Sequence, residues 1–509
     1  MEENAKMRMS RRRMLKLAGI GVGVLAAACQ PKVIVQTVEV ERVVEKQVVQ
    51  TVEVAKVVEV QQEVTRVVEK AVEKEVTRVV EVEKAAKVTG TFWVLQKRDF
   101  FPEFNDWFRA EMVAWCKERG WALDLSYMAG YTGGTPEIEK LLASVASGNP
   151  PDLLMHSLGI TELRQGYALE AVTPVVEQIE AQWGKAAARQ YMDYRQDDQW
   201  WAVPYFQRSD GGWFLRSVFN KHNIDIHKIR LFTDMWDACL EVSEPENEMY
   251  GWGITINRCG DGDWFRHRVK HGWGAYVQDE SGQFVTFNSP EMVEAMTRMT
   301  EIYMDPKWEK MMPPGVLAWT DPTNNEVFLA GKLAYTFNGG TVYGKGILDK
   351  NPLMPDVGFH APPGGPVNKE FNSLSANNWM IMRGARNFEA AAETILHYML
   401  PLDNQDAVFA AAPAFCLPAY EKLWAESNYI KTNPTAAELE TVARDPSGVV
   451  PGTYPGPANN PPMASAGSAG IENDMVSDIL RGTPVAEAVK TCHDRYVAIF
   501  KEFGMPGEK

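Results

Sequence analysis

The chain has 509 residues, of which 45% are hydrophobic, 10% aromatic and 23% charged, a balance that excludes a fibrous or wholly unstructured protein. Its 52 Lys and Arg stand against 67 Asp and Glu, a net charge of −15 that would repel a phosphate backbone and argues against nucleic acid as a partner. No apolar run reaches the roughly 20 residues that span a bilayer, so the bulk of the chain is not embedded in membrane.

At the N-terminus, Arg11, Arg12, Arg13 and Lys16 precede an apolar stretch, residues 17–28, that is too short to span and closes on small residues. This is the pattern of a signal peptide over residues 1–28. Ser10-Arg11-Arg12-Arg13-Met14-Leu15-Lys16 resembles a twin-arginine export signal, with Met14 where that signal prefers Phe. Leu25-Ala26-Ala27-Ala28-Cys29 resembles a bacterial lipobox with its large residue one place early. The resemblance implies cleavage before Cys29, lipidation of that cysteine, and an extracytoplasmic protein anchored to the outer face of the cell membrane. The alternative is a soluble exported protein cut at Ala28, with Cys29 incidental. The other cysteines, Cys116, Cys239, Cys259, Cys416 and Cys492, are scattered and form no C-x-x-C pair, so neither a zinc ribbon nor a dithiol motif is supported. No metal or cofactor is implied.

Residues 29–88 read as a lipidated, repeat-containing spacer. Between Gln30 and Val88 stand 22 valines, 11 Glu and 10 Lys and Arg, without Trp, Phe, Tyr or Gly, so nothing there can close a core. Thr37-Val38-Glu39-Val40 recurs as Thr51-Val52-Glu53-Val54, two heptads later, and Val64, Val68, Val72, Val76 and Val80 form an i, i+4 stripe. A helix that self-associates along this stripe is the first reading. Valine's preference for strands opposes it, and a solvated linker of no fixed shape is the alternative.

From residue 89 the pattern becomes strand, helix, strand, helix, strand. Strands are expected at 91–95, 123–127 and 152–155, with helices at 104–119 and 136–147 between them. This order implies right-handed crossovers and a parallel sheet whose ligands bind beyond the carboxyl ends of its strands.

Ile138-Glu139-Lys140-Leu141-Leu142-Ala143-Ser144-Val145-Ala146-Ser147-Gly148-Asn149-Pro150-Pro151-Asp152-Leu153-Leu154 resembles a signature of extracellular solute-binding proteins of carbohydrate ABC transporters. Similar segments follow in that family's order: Trp201-Ala202-Val203-Pro204-Tyr205, Phe219-Asn220-Lys221, Phe328-Leu329-Ala330-Gly331-Lys332, Leu417-Pro418-Ala419 and Ile479-Leu480-Arg481-Gly482. The resemblance implies an α/β fold of two lobes of the periplasmic-binding-protein type (type II), with an interlobe cleft that closes on its ligand. It also implies lobes of residues 89–204 plus 333–376 and 205–332 plus 377–509. The implied partners are a carbohydrate ligand and the permease subunits of an ABC transporter.

A saccharide needs hydrogen-bonding groups for its hydroxyls and flat rings for its C–H faces. Gln96, Lys97, Arg98 and Asp99 follow the first strand, and His156 and Ser157 follow the third, so both groups are expected at the cleft; solvated charges and a satisfied loop histidine are the alternatives. Tyr205, Gln207, Asn377 and Trp379 would flank the hinge. Asn338 and Tyr343 belong to a segment similar to the family's N-G-x-W loop, with Thr341 in place of its aromatic residue. Among 16 tryptophans, Trp213, Trp264 and Trp273 sit beside Gly and Asp and read as loop residues, each of which could instead pack beneath its loop. Trp264 is the strongest candidate, because the family carries an aromatic platform in this segment.

Two motifs are decoys. Gly339-Gly340-Thr341-Val342-Tyr343-Gly344-Lys345 fits a phosphate loop, yet Gly346 stands where Ser or Thr should bind magnesium. His267 and His271 have helical metal spacing, but Arg268 and Lys270 surround them. The function expected is capture of a carbohydrate without chemistry. The alternatives are a cell-surface carbohydrate-active hydrolase and a structural or sensory surface lipoprotein.

Overall fold

The alternation that begins at residue 91 folds as a layered sheet. Strands β1 (Thr91–Lys97), β2 (Ala122–Met128) and β3 (Leu153–His156) run parallel, with β1 between the other two. Helices α1 (Pro102–Arg119) and α2 (Thr135–Ala146) connect them, and the short helix α3 (Ile160–Gln165) follows β3. Pro102 opens α1, where its missing N–H would have had no partner anyway. Gly120, at φ 70°, ends it, and the Trp121 N–H reaches back to the Cys116 carbonyl at 2.8 Å. The expected elements here agree with the structure to within two residues.

This computed structural model describes residues 86–128, 135–157, 159–209, 211–369, 374–445, 449 and 452–509. The signal peptide, the lipidation candidate Cys29 and the spacer up to residue 85 lie outside the described residues. Residues 86–509 form one unit.

After the short hairpin of β4 (Arg195–Gln196) and β5 (Gln199–Trp200), β6 (Val203–Ser209) joins the first sheet and β7 (Gly211–Leu215) starts a second. The second sheet adds β8 (Tyr250–Trp252), β9 (Leu333–Asn338) and β10 (Val357–His360). The chain then returns to the first sheet with β11 (Leu374–Ile381) and β12 (Leu417–Pro418). The orders are β12-β6-β11-β3-β1-β2 and β10-β7-β9-β8. The result is a two-lobed α/β body, each lobe with its own packed aromatic and aliphatic core. The first core continues through Trp213 and Phe359 to the base of the second sheet, which joins the lobes by an apolar junction.

The sheets divide the chain differently from the expected boundaries. Residues 333–338 pair with β7 and β8 in the second lobe, whereas residues 205–209 and 377–381 pair within the first. The chain therefore changes sheet between β6 and β7 and again between β10 and β11. Motif order along a chain carries no strand register, and it is register that assigns a segment to a sheet.

The second lobe contributes α4 (Gly260–Gly272), α5 (Asp321–Leu329) and α6 (Thr341–Leu348), and near the C-terminus α7 (Pro461–Ala469), α8 (Ile471–Leu480) and α9 (Val485–Glu502). Three segments expected as loops are not loops. Trp213 lies in β7, Trp264 in the second turn of α4, and Trp273 caps the end of α4. The glycines that suggested turns mark close packing instead: a Cβ on Gly262 would lie 2.1 Å from the Asn257 carbonyl oxygen. Likewise Gly344 and Lys345 are inside α6, so no phosphate loop forms there.

Candidate ligand-binding cleft

The first lobe presents the ends of β1 and β6, and the second presents the starts of α4 and α5 and the end of β9. Between them lies a cavity of about 160 Å³. Phe100, Arg208 and Phe415 line it from the first lobe, and Asp261, Trp264, Asp321, Asn325, Asn338 and Thr341 from the second.

The second-lobe wall is held by a chain of hydrogen bonds. The Asn338 amide donates to Asn325 Oδ1 at 2.6 Å and Asn324 Oδ1 at 3.1 Å, and the Thr341 hydroxyl donates to Asn338 Oδ1 at 3.2 Å. Asn324 donates to Asp261 Oδ2 at 2.8 Å, and the Asp261 backbone N–H donates to Asp321 Oδ1 at 2.9 Å. Two carboxylates are thereby fixed at the starts of two helices, where the helix dipoles favour negative charge. Such a wall offers acceptors and amide donors to hydroxyl groups. At the junction a Cβ on Gly340 would lie 1.9 Å from the Ala414 carbonyl oxygen, so only glycine lets the lobes meet this closely.

Trp264 differs from the other candidate rings. It is half-buried, lines the cavity, and meets no other aromatic ring among the described residues. Trp213 is fully buried and stacks on Tyr343 at 5.5 Å, with its indole N–H donating to the Gly339 carbonyl at 3.0 Å. Trp273 packs face to face with Trp236 in the second core. Tyr205 and Trp379 are fully buried against each other, 4.8 Å apart, and burial pushes the Tyr205 hydroxyl well above its ordinary pKa. None of these rings lines the cavity: the strands that carry Trp213, Tyr205 and Trp379 turn them into the core, and Trp273 packs into the second core from the end of α4.

The polar candidates of the first lobe gather at the strand ends beneath the cavity. Lys97 is buried 3.6 Å from Asp99 Oδ2; burial, resisted by Asp99, draws its amine down to about 8. Asn377 donates to Asp99 Oδ2 at 3.5 Å, and Asp99 Oδ1 accepts the Phe100 N–H at 2.7 Å. Gln207 donates to the Pro418 carbonyl at 2.7 Å. The buried Gln96 amide has no hydrogen-bond partner among the described residues. His156 is buried and accepts the Ser157 N–H at 2.8 Å. Of the residues expected from sequence, Trp264 and Asn338 line the cavity, and the Lys97, Asp99 and Asn377 group lies beneath it. Arg98 is exposed near Tyr127.

Arg208, Phe415, Asp321 and Asn325 were not foreseen. Thr320-Asp321-Pro322-Thr323 carries the cap and the Pro of a helix start, which is legible, but which helix starts face the cleft depends on the packing of the whole lobe.

On the other flank of α4 a buried ion cluster forms. Glu472 accepts from Arg266 Nε at 2.8 Å, Lys270 Nζ at 2.6 Å and the Tyr496 hydroxyl at 2.7 Å. Burial alone would raise the Glu472 carboxyl, but Lys270 and Arg266 outweigh it and hold it below the usual carboxylate range. Burial, with Lys270 and Arg266, lowers His267 to about 3, so its ring is neutral.

A model of bacterial extracellular solute-binding proteins matches residues 102–405. No curated protein sequence matches the chain. Among solved structures, the maltose-bound MalE3 of T. maritima is similar at TM-score 0.67 and 19% identity, covering 81% of this chain and 98% of that one. The maltotriose-bound binding protein of Thermus thermophilus gives 0.62 and 16%, covering 81% and 100%. A solute-binding protein from Agrobacterium vitis S4 with bound D-mannitol gives 0.65 and 19%, covering 82% and 99%.

Proposed function

The chain belongs to the bacterial extracellular solute-binding proteins, and from that premise we propose that it captures a carbohydrate between its lobes and delivers it unchanged to an ABC permease. The observation that carries this reading is the half-buried Trp264 ring, which packs against the second core and lines the cavity beside a wall of carboxylates and amides already held in place by their own hydrogen bonds. The indole face suits the C–H side of a sugar ring, and Asp261, Asp321 and Asn325 suit its hydroxyls. Arg208 reaches the same cavity from the other lobe, so a ligand that touches both walls stabilises the closed arrangement over an open one. The similar structures hold maltose, maltotriose and D-mannitol, which supports a polyhydroxylated ligand.

The expected result is a rise in melting temperature with at least one member of a saccharide and polyol panel, larger than any rise with amino acids or phosphate esters. A panel without any shift would sink the proposal. We further propose that lipidated Cys29 holds the protein at the outer membrane surface. Cys29→Ser should then move it from the membrane fraction to the soluble one, and retention after a carbonate wash would contradict this.

A further inference from the structure

Arg208 is the penultimate residue of β6, where it pairs with Ser375 of β11, so a sheet rather than a loop carries its side chain to the cavity. Its guanidinium lies over Phe415, 5.5 Å from the ring centre. Its Nε is buried without an acceptor, and the side chain makes no hydrogen bond or ion pair among the described residues. By contrast Arg266 of α4 has two carboxylates, Glu472 and Asp263, at 2.8 Å each.

The carboxylates around the cavity do not supply the missing partner. Asp99, beneath it, lies 3.6 Å from Lys97 Nζ and accepts from the Phe100 N–H and the Asn377 amide. On the opposite wall Asp261 accepts from Asn324, and Asp321 accepts from the Asp261 N–H; neither forms an ion pair with Arg208. The first-lobe side thus sets two formal positive charges, Arg208 and Lys97, against one negative, Asp99, whereas Asp261 and Asp321 make the second-lobe side negative. A cation held half out of water beside the rings of Phe100, Phe337 and Phe415 is costly without a counter-charge.

The ligand that complements both walls is polarised in the same sense, with an acid group on one edge and hydroxyls on the other. A guanidinium presents paired donors that match both oxygens of a carboxylate, whereas a hydroxyl satisfies only one of them. Asp261 and Asp321 accept from hydroxyls but repel an anion, so the acid group belongs on the first-lobe side.

Resting on the carbohydrate reading above, we infer that Arg208 determines the specificity of the cleft and selects a saccharide that bears a carboxylate, a uronate, with its acid group on Arg208 and its hydroxyls on Asp261, Asp321 and Asn325. The test is calorimetric titration of the full chain with matched acid and neutral sugars: glucuronate with glucose, galacturonate with galactose, and digalacturonate with galactobiose. In at least one pair the acid is expected to bind more tightly by about tenfold or more, the scale of hydrogen bonds to a charged group. This comparison needs no variant. Arg208→Gln should lower affinity for that acid by a similar factor while changing that for its neutral partner by no more than about threefold. Arg208→Lys, which keeps the charge but loses the fork, should fall between the two. Neutral sugars binding as tightly as their acids, or an Arg208→Gln loss equal for both members of a pair, would overturn the inference and leave the carbohydrate reading standing. Binding of no member of any pair would also overturn it, and the broader saccharide and polyol panel would still decide the carbohydrate reading.

Discussion

Glu472→Gln should destabilise the protein by about 3–5 kcal/mol, the cost of breaking a buried ion pair by removing one partner. Glu472 is 5% exposed and is the shared acceptor of Arg266, Lys270 and Tyr496. The neutral amide would leave Lys270 buried without a counter-charge, and its NH₂ would face donors rather than acceptors. The same cluster sets a pH dependence. The Glu472 pKa is depressed in the fold, so its contribution is present above the unfolded carboxylate value and is lost as pH falls through the folded one. His267, lowered to about 3 by burial and its cationic neighbours, is neutral in the fold, whereas the unfolded chain takes up a proton near pH 6.5. Stability should therefore fall from about pH 6.5 towards pH 3, by up to about 1.4 kcal/mol per pH unit for this one proton. Urea unfolding midpoints at pH 7.5, 6 and 5 measure both effects. A midpoint that stays level across this range would show that His267 takes up no proton on unfolding, and a Glu472→Gln midpoint equal to that of the parent would show that the cluster contributes no net stability.

Trp264→Ala and Trp273→Ala should separate binding from packing. Trp264 is half-buried, lines the cavity and meets no other aromatic ring among the described residues, so its loss should weaken saccharide binding by about 1–3 kcal/mol while costing less stability than the loss of Trp273. Trp273 is 6% exposed and stacks on Trp236, so its loss should cost about 3–5 kcal/mol of stability. Calorimetry and urea unfolding on the same two variants decide the matter. Unchanged affinity in Trp264→Ala would move that ring to the packing class.

The two tryptophans also show what the sequence makes legible. Both sit beside glycine in the same 15-residue stretch, and both read as loop residues, because Gly-Asp-Gly-Asp is a turn-like string. In the fold Asp261 and Asp263 are favourable in the first turn of a helix, and Gly262 is there because another segment passes too close for a Cβ. Local composition cannot distinguish a glycine needed for a turn from one needed for a close approach. The β-α-β start was readable because its strands and helices alternate with clear periodicity and glycine stops. The lobe boundaries were not, since β9 and β11 find their partners across more than a hundred residues. Asn338 was reachable from a motif. Asn324 and Asn325 were not, because their role comes from where α5 points, and Arg208 enters the cavity only because β6 ends at the crossing between lobes.

Titration of the full chain with the saccharide that gives the largest melting shift, followed by recovery of that saccharide, tests capture without chemistry most directly. One ligand per chain, a negative heat-capacity change from burial of apolar surface, and a saccharide returned with its mass and reducing ends unaltered are expected. Release of new reducing ends in proportion to protein and time would contradict it.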